Sequence, residues 1–430
     1  MDSFFAVSSG APPAAIAIIR ISGAAAFDAA TRMAGTLPPP RTASLRALRG
    51  GDGGLIDRAL VLIFPGPDSA TGEDVVELHA HGGKAVVRAI EAALEAQPGL
   101  RRAEPGEFTR RALLNGRIDL TEAEGLGDLL AAETEAQRRA AMRVAEGALR
   151  LLAEGWTDRL VVLAAQIEAQ LDFADEEDVA GNVAGDPLAP IAAALTALAN
   201  EMDLLLAAPP VERLRDGVRV VIAGPPNSGK STLLNALAER DAAIVSPISG
   251  TTRDRIEVPV VREGMAFLLT DTAGLLDETQ DPIERIGIAR AEEAMRTADL
   301  VLWLGDDAPP SPDMICVHSR ADLPGREEAP VGTAVTISAA SGAGMAELWK
   351  IVSARAAALL PREDAVALNA RQRSLIGICA ESIGEAGRHG DPLLVAEYLR
   401  LAMAALDALA GRSDVEAMLD ALFSRFCIGK

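Results

Sequence analysis

Eight consecutive residues constrain this chain more than any others. Gly224-Pro225-Pro226-Asn227-Ser228-Gly229-Lys230-Ser231 follows directly on the apolar run Val218 to Ala223. The stretch fits G-x-x-x-x-G-K-[ST], with a strand in front and a predicted helix behind, Thr232 to Ala238. The glycines let backbone N–H groups turn inward around polyphosphate oxygens. The Lys230 ammonium adds a point charge on the outer phosphates, and the Ser231 hydroxyl can ligate Mg²⁺. Asn227, Ser228, Gly229, Lys230, Ser231 and Thr232 are therefore expected to line a bound nucleoside triphosphate.

Further elements of such a pocket follow in order. Asp271-Thr272-Ala273-Gly274 ends the apolar run Ala266 to Leu269, where a carboxylate can reach the Mg²⁺ shell and the Gly274 N–H can meet a γ-phosphate. Between the two motifs lies Gly250-Thr251-Thr252-Arg253-Asp254, whose Thr252 offers a second hydroxyl to the Mg²⁺. Past the strand Val301 to Leu304 and the apolar stretch Met314 to Val317 comes Ser319-Arg320-Ala321-Asp322. Ser338-Ala339-Ala340 closes the set after Ala334 to Ile337. Five elements in this order point to GTP rather than ATP, because Asp322 can accept from the two adjacent N–H donors that guanine has and adenine lacks. Lys230, Thr252 and Asp271 are expected at the reacting phosphate.

The base element departs from N-K-x-D. Arg320 in place of Lys is tolerable, since a guanidinium stacks on π-faces at least as well. Ser319 is shorter than Asn and is expected to forfeit one hydrogen bond to the base, about 0.5–1.5 kcal/mol. Guanine preference should survive with weaker binding.

With 430 residues the chain has room for about three domains. Its apolar runs are short against the ~20 residues that span a bilayer, and Met1-Asp2-Ser3 lacks a basic leader. Cys316, Cys379 and Cys427 are a sparse, odd set that fits a reduced cytoplasm. A net charge of −21 argues against a broad nucleic-acid grip, which needs clustered Lys and Arg. Any work on RNA would then lean on a partner. His79 and His81 share one strand face, but no third ligand stands at matching spacing, so a metal there is not expected.

Proline-bearing breaks at 207–210 and 359–361 bracket the nucleotide-binding segment. Residues 131–173 and 365–423 instead carry apolar positions at three- and four-residue spacing. The expected fold is multidomain α/β. A GTPase domain with a mostly parallel, doubly wound sheet (211–360) is inserted into an all-α domain built from both flanks (119–210 and 361–430). An α+β domain (1–118) precedes them, with strands at Ala14 to Ile21, Ala59 to Phe64 and Val75 to Leu78 and helices at Gly82 to Ala96 and Phe108 to Leu114. Only nine residues separate Leu304 from Met314, fewer than a parallel crossover normally takes. The helix expected there should be missing, leaving that sheet face to a neighbouring segment or less covered. Loose nucleotide binding with fast exchange is the expected consequence.

Several stretches resemble the MnmE, or TrmE, tRNA-modification GTPases over nearly the whole chain. They include Ile19-Arg20-Ile21-Ser22-Gly23, Thr71-Gly72-Glu73-Asp74-Val75-Val76-Glu77-Leu78, Pro105-Gly106-Glu107-Phe108-Thr109-Arg110-Arg111-Ala112 and Leu114-Asn115-Gly116-Arg117-Ile118-Asp119-Leu120. Ile283-Glu284-Arg285-Ile286-Gly287-Ile288 and the tail Phe426-Cys427-Ile428-Gly429-Lys430 are the most specific. The resemblance implies a flavin-dependent partner protein, MnmG, tRNA engaged mainly through that partner, and a homodimer formed by the N-terminal domain. It also implies an aminomethyl-type group, carboxymethylaminomethyl or aminomethyl, added at carbon 5 of the wobble uridine. A reduced folate, 5,10-methylene- or 5-formyl-tetrahydrofolate, supplies the carbon. The implied folate contacts are Arg20, Glu77, Arg117 (where members more often have Lys) and Lys430. The usual glycine-rich lead-in reads Ser9-Gly10-Ala11-Pro12-Pro13-Ala14-Ala15 here. Cys427 is either a thiol near folate or uridine or a small buried hydrophobe.

Leu275 follows Asp271-Thr272-Ala273-Gly274 where many switch GTPases place a water-orienting Gln, and leucine cannot do this. By resemblance the role passes to Glu284. No arginine finger can be assigned, and Asn227 offers a neutral amide oxygen that a K⁺ ion accepts, though an Asn at that point also shapes loops. The resemblance adds Ser246, Ile248 and Thr251 as further K⁺ ligands. The GTPase motifs alone also permit a regulatory or ribosome-assembly GTPase, and a third reading is a folate-dependent methyl- or aminomethyl-transferase with an accessory GTPase.

Overall fold

In the segment Ile16–Ser22 the apolar residues Ala17, Ile19 and Ile21 are fully buried, while Arg20 stands on the opposite face. That is the period of two expected of a strand covered on one side. The computed structural model describes residues 2–172, 188–240, 257–272, 292–362, 365–412, 416–424, 426 and 428–429. It divides into two compact units, Met1–Gly127 with Val144–Val162 and Met403–Lys430, and Asp128–Arg143 with Leu163–Ala402.

The first unit holds a six-stranded sheet built from β1 (Ser3–Val7), β2 (Ile16–Ser22), β3 (Ser44–Arg49), β4 (Leu55–Phe64), β5 (Val75–His81) and β6 (Leu100–Arg102). The order is β3-β4-β5-β2-β1-β6, antiparallel throughout except for the β1–β6 pair. Helices α1 (Ala26–Ala34) and α2 (Lys84–Glu95) bury Met33, Val87, Ile90 and Leu94 against Ile19, Ile21 and Leu78 of one sheet face. The strands and helices expected here all form. Sequence pattern did not single out β1, β3, β6 or α1. In the same unit Leu120 and Ala123, from α4 (Leu120–Ala131), share a core with Leu419, Phe423 and Phe426 near the chain's end.

The second unit holds the nucleotide-binding sheet. Its strands are β7 (Val218–Ala223), β8 (Glu257–Arg262), β9 (Met265–Asp271), β10 (Leu300–Trp303), β11 (Ile315–His318) and β12 (Val335–Thr336), in the order β12-β11-β10-β7-β9-β8. Every pair is parallel except β8–β9. On one face Leu233, Leu234 and Leu237 of α9 (Lys230–Arg240) and Leu348, Trp349 and Val352 of helix Met345–Ala357 join the core. On the other, Ala294 packs on Val221, Ala223 and Val301. Cover on both faces makes the sheet doubly wound, as expected from sequence.

No helix lies between β10 and β11, and residues 304–314 run as turns and bends. The sheet face is filled locally instead. The partly buried Trp303 and Met314 pack onto the cluster around Ala294, and the Trp303 indole donates to the Asp307 carbonyl at 3.2 Å.

Flanking helices are α5 (Glu135–Ala145), α6 (Ala148–Asp172), α7 (Ala189–Leu206), the short α8 (Glu212–Arg215) and Ala370–Ala386. α7 packs along Ala370–Ala386, so segments from both sides of the GTPase sheet meet, as the inserted-domain reading requires. Among the described residues α7 is long and apolar enough to cross a membrane, with a mean hydropathy of 1.3, a stretch the sequence reading of short apolar runs passed over. Its buried residues Ile191, Leu195, Leu198, Ala199 and Met202 follow the stripe of an amphipathic helix.

Candidate functional site

Strand order decides where the nucleotide pocket forms. β7 lies between β9 and β10, so the chain leaves it toward β9 on one side and later returns to β10 on the other. A crevice opens at the carboxyl end of a strand placed at such a switch point, and the phosphate loop 224–231 occupies it. Ile222 and Asp271 are register partners on β7 and β9, which sets Asp271 beside the start of α9. Ser231 Oγ donates to Asp271 Oδ2 at 2.5 Å. These all-oxygen donors are the kind a hard divalent cation takes, so the pair fits Mg²⁺.

Lys230 is buried and donates to the carbonyls of Gly224 and Pro225 at 3.0 and 2.9 Å. Burial pushes its ammonium below the ordinary lysine range, against the raising influence of Asp271. Asn227 takes φ +60°, the left-handed region that Asn tolerates better than most residues. The Ser228 hydroxyl is buried at the centre of the loop, without a partner among the described residues. Thr272 caps β9 by donating to the Ile222 carbonyl at 2.9 Å.

The base end of the site is a cavity of about 180 Å³ lined by Gly229, Thr232, Ser319, Arg320, Asp322 and Ala339 among others. Ser338 hydrogen-bonds the Asp322 carboxylate and holds it below the ordinary range, while accepting from the Ser341 N–H at 3.1 Å. Ser319 is buried, and its hydroxyl donates to the Ser228 carbonyl at 2.6 Å. Its one donor is thus spent on the phosphate loop, in keeping with a lost bond to the base. Ser246, Ile248, Thr251, Thr252, Ala273, Gly274 and Glu284 lie outside the described residues.

A second cluster occupies the opposite face of the first sheet from its helices. Arg20 on β2 and Glu77 on β5 are register partners, and Arg20 Nε donates to Glu77 Oε1 at 2.8 Å. His79 Nε2 lies 2.9 Å from the other oxygen, Glu77 Oε2. Burial raises the Glu77 carboxyl, yet the His79 and Arg20 hydrogen bonds outweigh it and leave it below the ordinary range. His81 is engaged with Asp57. Arg117 pairs with Asp68, with Nη1 and Oδ1 3.5 Å apart, rather than with Glu77. Its stem crosses Gly72, which has φ +77°, and a Cβ there would strike Asn115 Cβ at 2.9 Å. The T-G-E and L-N-G-R motifs therefore meet, sealed by Asn115 Nδ2 donating to the Thr71 carbonyl at 2.7 Å.

The tail reaches the same sheet. Ile428 pairs with Pro105, and Gly429 (φ +102°) lies so close to Val7 that a Cβ would sit 2.2 Å from its carbonyl oxygen. Val7 is the register partner of Ile19, one residue before Arg20. Cys427 and Lys430 lie outside the described residues.

Sequence pattern missed two groups that shape these sites. Glu73 receives the Ser22 hydroxyl at 3.1 Å and Arg111 Nη1 at 2.8 Å, and Ser22 and Thr71 share a 2.7 Å bond, which ties the T-G-E loop to β2 and α3 (Glu107–Leu114). Arg326 and Asp306, far apart in sequence, clasp the base loop. Only the quoted motifs hinted at the first group, and nothing in the spacing announced the second.

The family model for the GTP-binding protein TrmE N-terminus matches residues 3–117, and that for the MnmE helical domain matches residues 120–427. A tRNA modification GTPase MnmE from Rhizorhabdus wittichii is 57% identical over 433 residues, covering 100% of this chain and 97% of the relative. One from Erythrobacter litoralis is 54% identical over 431 residues and covers both chains fully, 100% and 100%. Among solved structures, the G domain of the T. maritima FeoB iron transporter is similar at 24% identity, covering 32% of this chain and 98% of that one. The TM-score of that match is 0.24. A nucleotide pocket built by this phosphate loop, in a chain matched over its whole length by such relatives, leaves one assignment: this chain belongs to the MnmE family of tRNA modification GTPases.

Proposed function

We propose that this GTPase acts in the modification of carbon 5 of the wobble uridine of tRNA, using a reduced folate as the one-carbon source and working with a flavin-dependent partner. The observation that carries the reading is the convergence on the first sheet. Arg20 and Glu77 sit opposite each other on adjacent strands, and Gly429 of the Phe-Cys-Ile-Gly-Lys tail packs beside Val7, next to the same pair of strands. A guanidinium can meet glutamyl-tail carboxylates, and a carboxylate held ionised can accept from a pterin amino-pyrimidine edge. Arg117 would contribute through the T-G-E loop it crosses, and Lys430 from the tail. A bound folate supplies the carbon, and the residues of this chain bind and orient it. The net charge of −21 favours tRNA contact mainly through the partner.

In the nucleotide pocket Ser231 and Asp271, with Thr252, would hold Mg²⁺ over the phosphates. Lys230 would exchange its two loop carbonyls for phosphate oxygens. Asn227, with Ser246, Ile248 and Thr251, would hold K⁺, and Glu284 would orient the attacking water through a bridging water. Pairing of two copies through the N-terminal domain, in the cytoplasm, completes the reading.

Equilibrium dialysis of 5-formyl-tetrahydrofolate against the full-length protein tests it. Saturable binding that Glu77→Ala or Arg20→Ala abolishes, with GTP hydrolysis intact, is expected. Absence of binding by the unaltered chain would instead favour a regulatory or ribosome-assembly GTPase.

A further inference from the structure

We infer that Arg326 and Asp306 form a clasp between the short β10–β11 link and the base loop, and that this clasp sets how long a guanine nucleotide stays bound. Arg326 lies four residues beyond Asp322, and its guanidinium is committed on every side. Nε donates to the Ser319 carbonyl at 2.9 Å. Nη1 and Nη2 donate to the two oxygens of Asp306 at 2.9 and 2.8 Å, a fork-to-fork pair. Nη2 also reaches His318 Nδ1 at 3.2 Å, and the Arg326 carbonyl accepts from His318 Nε2 at 3.0 Å.

Two of the Arg326 partners lie at or just past the carboxyl ends of the neighbouring parallel strands β10 and β11. Asp306 lies just past β10, at the start of the short link, and His318 ends β11. Ser319 passes the restraint on, because its hydroxyl donates to the Ser228 carbonyl of the phosphate loop at 2.6 Å. The chain of contacts from Asp306 through Arg326 and Ser319 to Ser228 couples the link to both ends of the nucleotide pocket. The Arg326 hydrogen bond holds Asp306 below the ordinary carboxylate range, and the same bond raises Arg326 above the ordinary guanidinium range. The pair therefore stays charged at neutral pH.

The inference rests on Asp322 reading the guanine edge, so the test carries a variant of each kind. Release of a fluorescent GDP analogue and single-turnover GTP hydrolysis at saturating nucleotide would be measured on the full-length protein. The variants are Arg326→Ala, Arg326→Lys, Asp306→Asn, the Arg326→Ala/Asp306→Asn double and Asp322→Ala. Either clasp variant alone should speed release about tenfold, the double should be no faster than Arg326→Ala, and hydrolysis at saturation should hold. Arg326→Lys should recover only part of the effect, because an ammonium cannot make the fork. Asp306 is more than half exposed, so Asp306→Asn keeps the test open if Arg326→Ala folds poorly. Unchanged release in Asp306→Asn, additive effects in the double, or faster release only in step with lost hydrolysis would overturn the clasp. GDP affinity unaffected by Asp322→Ala would overturn the base-site reading and the clasp with it.

Discussion

Ser319 Oγ donates to the Ser228 carbonyl oxygen at 2.6 Å, so the base-recognition loop and the phosphate loop are joined in one hydrogen-bonded body. The bond explains how a chain with Ser in place of the usual Asn keeps an ordered pocket. Removing the hydroxyl would leave a buried carbonyl without its partner, at a cost of about 1–3 kcal/mol. Ser319→Ala is therefore expected to weaken GDP binding about fivefold or more, whereas Ser319→Asn should tighten it by restoring a base contact. Titration with a fluorescent nucleotide checks both directions, and equal affinities across the three proteins would contradict this role for the hydroxyl.

Asn227 has two roles open to it that one substitution separates. Its φ of +60° suits a loop-shaping Asn, and its amide oxygen suits K⁺. Glycine accepts the same backbone without strain but has no side-chain amide. Asn227→Gly should bind GTP normally and lose any acceleration of hydrolysis by K⁺ over Na⁺. If the variant keeps that acceleration, the side chain only shapes the loop.

Glu284 is the residue proposed to orient the attacking water, since the Leu275 side chain has no group that can. Glu284→Ala should lower single-turnover hydrolysis at least tenfold, about 1.4 kcal/mol or more in barrier, with GTP affinity nearly unchanged. A rate equal to that of the unaltered protein would remove Glu284 from the reaction.

The lowered pKa of Glu77 makes a signed statement about acid. Burial opposes its ionisation, but the His79 and Arg20 hydrogen bonds win. A carboxyl lowered on folding stabilises the protein fully above its unfolded pKa, about 4.3, and loses that contribution as pH falls through the lowered folded value. The stability advantage of the unaltered protein over Glu77→Gln should be present at pH 7 and shrink below about pH 4. Thermal midpoints across that range check it, and a gap that widens in acid would contradict the assignment.

Local chemistry was legible in the sequence wherever one motif fixed one element. The phosphate loop demanded a strand before it and a helix after it, and β7 and α9 supply them. The nine residues between Leu304 and Met314 could not hold a helix crossover, and none forms. Short elements were harder to read. β6 has three residues, too few for alternation to register, and α1 spans only nine, with a buried stripe made of alanines and Met33. Long-range partners were invisible for a different reason. Arg326 meets Asp306 only because β10 and β11 are neighbours, and Arg111 meets Glu73 only because a helix packs across a loop, so neither pair leaves a periodic trace. Ser319 showed itself as a departure, but only the fold gave its hydroxyl the Ser228 carbonyl.

Service to chemistry at the wobble uridine is the role proposed for this GTPase. Its most direct test is mass analysis of wobble uridines in tRNA from cells lacking the gene, complemented with either the unaltered protein or Glu77→Ala. A carbon-5 aminomethyl-type group is predicted to disappear on deletion, return with the unaltered protein and stay absent with Glu77→Ala. Wobble uridines that keep the full modification in the deleted cells would contradict that role.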